Sequence, residues 1–165
     1  MSESAGKELY LVVCAAEAAV DAGRLVTLAQ EEGWIVQVVA TPSALDFIDA
    51  AALEKQTGRP VRSQYRKPSE PKPPRADAII VAPATYNTIN KFAHGIADTY
   101  ALGILAEAPG LGIPVVVLPF VNRALAGRTP YRRSVADLRA DGVRFVLDPD
   151  PDPWARALAE LGVKP

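Results

Sequence analysis

The chain is 165 residues long, 49% hydrophobic and 22% charged, with a formal net charge of −1 at pH 7. That length can bury a substantial core and predicts one domain over residues 1–165. A pI near 5.9 speaks against nucleic acid or an anionic membrane as the main partner, since both need a basic excess. No apolar run approaches the roughly 20 residues of a membrane span, and the polar start Met1–Glu8 is no secretory signal. The single cysteine, Cys14, excludes an intrachain disulfide or a Cys-rich zinc site, and the single histidine, His94, leaves little for a His-based metal site. The composition predicts a soluble, cytoplasmic protein without a metal.

Leu9–Cys14 is an apolar run too short for a helix and reads as a strand buried on both faces. A helix follows over Ala15–Glu32, with apolar residues at helical spacing and Gly33 as its stop. Trp34–Ala40 is the second strand. Thr41 then offers an N-cap and Pro42 a first helical position for a helix to about Lys55. Between Gly58 and Arg75 lie five prolines and six basic residues, which forbids helix and predicts a long surface loop with a brief strand near Val61. A loop of that length inside a compact domain is usually functional or mobile.

Ala76–Ala82 reads as a third buried strand, Thr85–Ala108 as one long helix, and Pro114–Pro119 as a fourth strand. A loop with Gly127 and Pro130 leads to a helix over Tyr131–Ala140 and a strand over Val143–Leu147. Residues 148–153 form a Pro/Asp spacer before a last helix that ends at Gly162. Strands that alternate with helices and lack polar faces predict a doubly wound, Rossmann-like (flavodoxin-like) parallel sheet with helices on both faces. Ligands of such sheets sit beyond the carboxyl ends of the strands, where the strand order reverses.

Those ends carry the informative residues. No G-x-G-x-x-G follows the first strand and no G-x-x-x-x-G-K-[ST] occurs anywhere. Ala15 and Ala16 are small enough for backbone N–H groups to approach a phosphate, although tight helix–strand packing explains small residues equally well. At the third strand end, Pro83-Ala84-Thr85-Tyr86-Asn87-Thr88 runs into Lys91-Phe92-Ala93-His94-Gly95-Ile96-Ala97-Asp98. This resembles the P-A-S-A-N-T signature and the K-x-A-x-G-I-A-D continuation of the flavin-containing cysteine decarboxylases, a family that includes phosphopantothenoylcysteine and lantibiotic peptide decarboxylases and halotolerance flavoproteins. Thr41–Phe47 is similar to that family's T-x-x-A-x-x-F, Gly58–Val61 to its G-x-P-V, and Pro119–Asn122 to the start of its P-x-M-N-x-x-M-W.

The resemblance implies FMN as cofactor and an oxidative decarboxylation of a cysteine-type carboxylate, on a small molecule or a peptide. It implies that Thr85 and Thr88, with the N–H groups that open their helix, serve the phosphate end, and that Tyr86 and Asn87 also contribute to cofactor binding. Thr41 and Phe47 would border the cofactor, Phe120 would lie against the flavin, Asn87 would stand near the reacting centre and Asn122 would hold the substrate carboxylate. A homo-trimer or dodecamer is implied in the same way. Taken singly, Thr41 and Thr85 also read as plain helix caps and Phe47 as plain core.

The pattern also departs from the family. Counting back from Thr85 reaches Ser69 where the family has its acid/base histidine, and a hydroxyl cannot replace an imidazole that titrates near neutrality. His94 reads as a structural residue of its helix. Val121, Leu125 and Ala126 stand where the family has Met, Met and Trp, and no C-terminal cysteine is present. Cys14 reads as a buried, inert thiol. Arg123, Arg128, Arg132 and Arg133 suit a carboxylate or phosphate, or a salt-bridged face with Asp137 and Asp141. Three functions stay open on these residues: a decarboxylase with altered catalytic groups, a non-catalytic FMN-binding or regulatory flavoprotein, and a nucleotide-binding α/β protein without flavin.

Overall fold

The computed structural model describes residues 6–162. Five strands form one all-parallel sheet in the order β2-β1-β3-β4-β5. They are β1 (Glu8–Val13), β2 (Ile35–Ala40), β3 (Ala78–Ala84), β4 (Val115–Pro119) and β5 (Arg144–Phe145). Every residue of β1 and β3 is buried, the mark of central parallel strands covered on both faces. Alternation along β1 divides the core. Leu9, Leu11 and Val13 pack with α1 (Ala22–Glu31) and α7 (Pro153–Glu160), whereas Tyr10, Val12 and Cys14 pack with α3 (Tyr86–Ala93), α4 (Tyr100–Glu107) and α6 (Thr129–Ala140).

Three predicted helices break where local chemistry offers a second start. The first opens as a 3-10 turn, Glu17–Asp21, and becomes α-helical only at Ala22, because Ala16 at its cap has no side chain to accept an N–H. The second divides into a 3-10 turn at Pro42–Asp46, capped by Thr41, and α2 (Ala50–Thr57), capped by Asp49 Oδ1 on the Ala52 N–H at 3.0 Å. The predicted 85–108 helix is two. Gly95 takes φ +71°, which suits only glycine, and Thr99 Oγ1 then accepts the Leu102 N–H at 3.1 Å to start α4.

Other boundaries move less. The Pro-rich segment contains no helix, and its brief strand reduces to one parallel bridge between Val39 and Arg62. A short helix, α5 (Arg123–Ala126), stands in what reads as loop. The last strand shrinks to two residues. The excursion is tied down at both ends: Arg59 makes a bidentate pair with Glu8 at 2.6 and 2.9 Å, and the Tyr10 hydroxyl donates to the Pro74 carbonyl.

The chain leaves β1 toward β2 on one side and runs from β3 to β4 and β5 on the other. The carboxyl ends of β1 and β3 therefore form the point where the order reverses. The Cys14 N–H donates to the Pro83 carbonyl there at 3.1 Å, so the two strand ends stay joined to the rim of the crevice.

Candidate functional site

A cavity of about 1240 Å³ opens at that reversal point. The turn after β1 supplies Ala15 and Ala16, the end of β2 supplies Thr41, and the end of β3 with the start of α3 supplies Thr85, Tyr86, Asn87 and Thr88. Phe120 and Asn122 close it from the end of β4. Phe47 is the exception among the sequence-predicted residues. The 3-10 turn carries it past the crevice, and it stands 43% exposed outside the cavity lining.

Capping fixes the floor. Thr85 Oγ1 accepts the Thr88 N–H at 3.3 Å and lies 3.2 Å from the Thr88 hydroxyl. The N–H groups of Tyr86 and Asn87, in the first turn of α3, have no intrahelical acceptor, and both residues line the cavity. Beneath them lies the Cys14 thiol, fully buried. Burial pushes its pKa up, against hydrogen bonding with Thr88 and Thr85 that pulls it down. The protonated thiol is thus a packing group.

Both carboxamides reach the cavity from helix starts. Asn87 stands in the first turn of α3 and is exposed to the cavity. Asn122 caps α5: its Oδ1 accepts the Leu125 N–H at 2.9 Å, which leaves Nδ2 as a free donor. Phe120 is backed by Trp154 of α7, the rings stacked with centroids 6.2 Å apart. On the opposite wall Tyr86 stacks on Tyr131 of α6 at 5.8 Å, and Ser134 Oγ ties α6 to α3 by donating to Asn90 Oδ1 at 2.7 Å.

Sequence reading passed over several lining residues. Thr99 and Leu102 reach the cavity because of the helix break at Gly95, and a Thr following Gly-x-x-Asp is the one signal that could have announced it. Glu17 and Lys91 are the charged side chains of the lining. Trp154 carried no signal, since only the fold brings it to Phe120.

The remaining expectations fall outside the lining. Ser69 is exposed on the Pro-rich excursion. His94 is exposed at the end of α3, its Nδ1 2.9 Å from the Asn90 carbonyl oxygen, so no imidazole lines the cavity. Among the described residues no ion pair joins Asp137 or Asp141 to the arginines of α5 and α6, and no group of His, Cys, Asp and Glu could hold a metal.

The family described as Flavoprotein matches residues 1–162. The chain belongs to it. A probable phosphopantothenoylcysteine decarboxylase of Streptococcus mutans is 28% identical over 147 residues, covering 85% of this chain and 82% of that protein. A coenzyme A biosynthesis bifunctional protein of Thermococcus kodakarensis is 27% identical over 147 residues, 86% of this chain. The match covers only 36% of that longer protein. Among solved structures, the FMN-dependent cysteine decarboxylase TvaF of thioviridamide biosynthesis superposes with a TM-score of 0.79 at 26% identity, covering 95% of this chain and 99% of that one. The doubly wound parallel fold expected from the sequence is therefore the fold of the chain and of its relatives.

Proposed function

We propose that the chain is an FMN-binding flavoprotein that decarboxylates a cysteine-type carboxylate oxidatively, on a small molecule or the end of a peptide. The observation that carries this is the meeting of Asn87 and Asn122 on one cavity at the β1/β3 reversal point, beside the Thr85-capped start of α3. The residues fit the cofactor. The open N–H groups of Tyr86 and Asn87 suit a phosphate, the small side chains of Ala15 and Ala16 permit close approach, and Phe120 supplies an apolar wall.

FMN, when bound, supplies a two-electron oxidation that turns a thiol-bearing carbon into a thiocarbonyl, whose electron demand eases the loss of CO2. This chain's own groups bind and orient. Asn122 Nδ2 offers the substrate a donor while Oδ1 stays in the cap, and Asn87 offers a second carboxamide from the start of α3. Thr41, engaged as a cap on the Ala44 N–H at 3.2 Å, lines the same cavity and would border the cofactor there. Assembly as a homo-trimer or dodecamer in the cytoplasm belongs to the same proposal. Exposed Leu45 and Phe47 would then be covered at a subunit boundary. No helix among the described residues is long and apolar enough to cross a membrane.

One observation favours a second reading, a flavoprotein without catalysis: the lining has no imidazole. The test is in two steps. The purified protein should be yellow and release FMN on heating, as identified by mass. Incubated with cysteine-terminated peptides, it should yield products lighter by CO2 and two hydrogens, and Asn87→Ala should abolish this. Yellow protein without turnover supports the non-catalytic reading, and a colourless protein that takes up no FMN overturns both.

A further inference from the structure

No residue of the Pro-rich excursion lines the cavity, and its charge sets it apart from the rest of the chain. Residues 58–75 hold six basic side chains and one acid, Glu70, whereas the remaining residues hold twelve basic and eighteen acidic ones. Arg59 is neutralised by Glu8. Among the described residues no ion pair joins Arg62, Arg66, Lys67, Lys72 or Arg75 to a carboxylate. Neighbouring acids are engaged elsewhere: Glu54 accepts the Val61 N–H and Asp77 the Glu8 N–H.

These charges sit on a fixed frame. The Arg62 backbone joins the edge of β2, donating to the Val38 carbonyl and accepting the Ala40 N–H. Arg66 Nη1 spans the carbonyl oxygens of Lys67 and Glu70 at 3.3 and 2.9 Å, and Arg75 donates to the Leu111 carbonyl. Neutral carbonyls orient a guanidinium without cancelling its charge. The prolines limit the chain freedom that binding would freeze. Tyr65 meets Tyr100 edge-on, with centroids 5.3 Å apart, and crosses α4 at Gly103, where any side chain would collide with its hydroxyl. It is nevertheless 63% exposed. Arg62 stands out, because its Nε is shut off from solvent without a hydrogen-bond partner, with the Tyr10 and Tyr100 rings in its vicinity. A cationic donor left in that state is costly, and a carboxylate from outside the chain would satisfy it.

We propose that the Pro-rich excursion is a docking surface for an acidic polypeptide segment, with Arg62 taking one of its carboxylates and Tyr65 supplying the apolar contact. Charge complementarity selects this partner. The basic patch is a short island on an acidic remainder, which matches a short acidic segment. A long nucleic acid or an anionic bilayer would extend over that remainder and be repelled by it. Arginine and tyrosine are also the side chains that anchor protein interfaces, and a planar guanidinium holds a carboxylate at two points. The surface is independent of the flavin site, so either reading can fail alone.

The test uses the full-length protein as purified and two short fluorescein-labelled peptides, one alternating glutamate with serine and one alternating glutamine with serine, read by fluorescence anisotropy. The glutamate peptide should bind at least about tenfold more tightly, the scale of one charge-assisted hydrogen bond, and should weaken as salt rises. Arg62→Met should remove most of that preference at an unchanged or higher thermal midpoint, since the unpaired donor leaves with the charge. Lys67→Gln combined with Lys72→Gln, at two exposed positions, should weaken binding and flatten its salt dependence. Equal binding of the two peptides, a preference that survives Arg62→Met, a midpoint lowered in that variant, or unchanged binding in the lysine variant each overturns the proposal. Tighter binding of single-stranded DNA or of phosphatidylserine vesicles than of the glutamate peptide overturns it in favour of those partners. An assembly that Arg62→Met dissociates, with no peptide bound by wild type, assigns the surface to a second copy of the chain instead.

Discussion

Asn122 Oδ1 closes α5 on the Leu125 N–H at 2.9 Å while its amide nitrogen remains free beside the cavity. One side chain therefore serves the fold and the site through different atoms, and substitutions can separate the two. Asn122→Asp keeps the cap oxygen and removes the donor, so stability should hold while turnover falls at least tenfold. Asn122→Ala removes both and should cost up to about 1 kcal/mol as well. Urea denaturation beside product formation checks this. Equal turnover in Asn122→Asp and wild type would remove Asn122 from substrate binding.

Trp154 is 5% exposed and stacks on Phe120 at 6.2 Å. Trp154→Ala should destabilise the protein by about 3 kcal/mol or more through the cavity left between α7 and the sheet. It also takes away the backing of Phe120, so the fraction of protein that retains FMN should fall under conditions where the variant is still folded. Trp154→Phe should restore most of both. The comparison needs a denaturation curve and a flavin-to-protein absorbance ratio.

The Glu8–Arg59 pair anchors the Pro-rich excursion to the start of β1, with Glu8 only 12% exposed on its side chain. Arg59→Met strands a largely buried carboxylate and should cost about 1–3 kcal/mol, reduced from the fully buried case by residual solvent contact. Glu8→Gln with Arg59→Met should recover part of that loss. A double-mutant cycle measures the coupling, and a cycle that closes at zero would make the pair incidental.

Burial pushes the Tyr10 hydroxyl up to about 12, aided by the charges of Tyr100 and Glu8 and opposed by Arg59 and Arg62. Folding therefore favours the protonated phenol. Its contribution is fully present below the unfolded value of about 10 and is lost as pH rises from there toward 12. Tyr10→Phe leaves the Pro74 carbonyl without its donor, so it should cost about 1 kcal/mol at neutral pH. It should also show a smaller loss of stability than wild type between about pH 10 and 12. Denaturation midpoints across that range decide it. Parallel curves for the two proteins would assign the alkaline loss to other groups.

The site was legible wherever it lay within one strand and the turn that follows it. Pro83–Asn87 and Pro119–Asn122 each bring a strand end and a helix cap together in a few residues, so their type and spacing carry the geometry with them. The helix divisions were hidden because Gly95 and Asp49 are tolerated inside helical patterns. Only the competing caps at Thr99 and Asp49 itself decide that the helix restarts there. Phe47, expected beside the cofactor from its resemblance to the last position of T-x-x-A-x-x-F, ends the 3-10 turn and stands exposed outside the cavity lining, a placement that local pattern does not carry.

By itself the sequence determined the alternation of strands and helices, the parallel sheet and the two carboxamide-bearing strand ends, because hydrophobic period and cap chemistry act over neighbouring residues. Only the tertiary structure decided that Trp154 backs Phe120, that Ser134 ties α6 to α3, and that Lys91 shares the cavity with Asn122. Those relationships join residues far apart in the chain. Their partners are set by how helices pack across the two faces of the sheet, which no local pattern encodes.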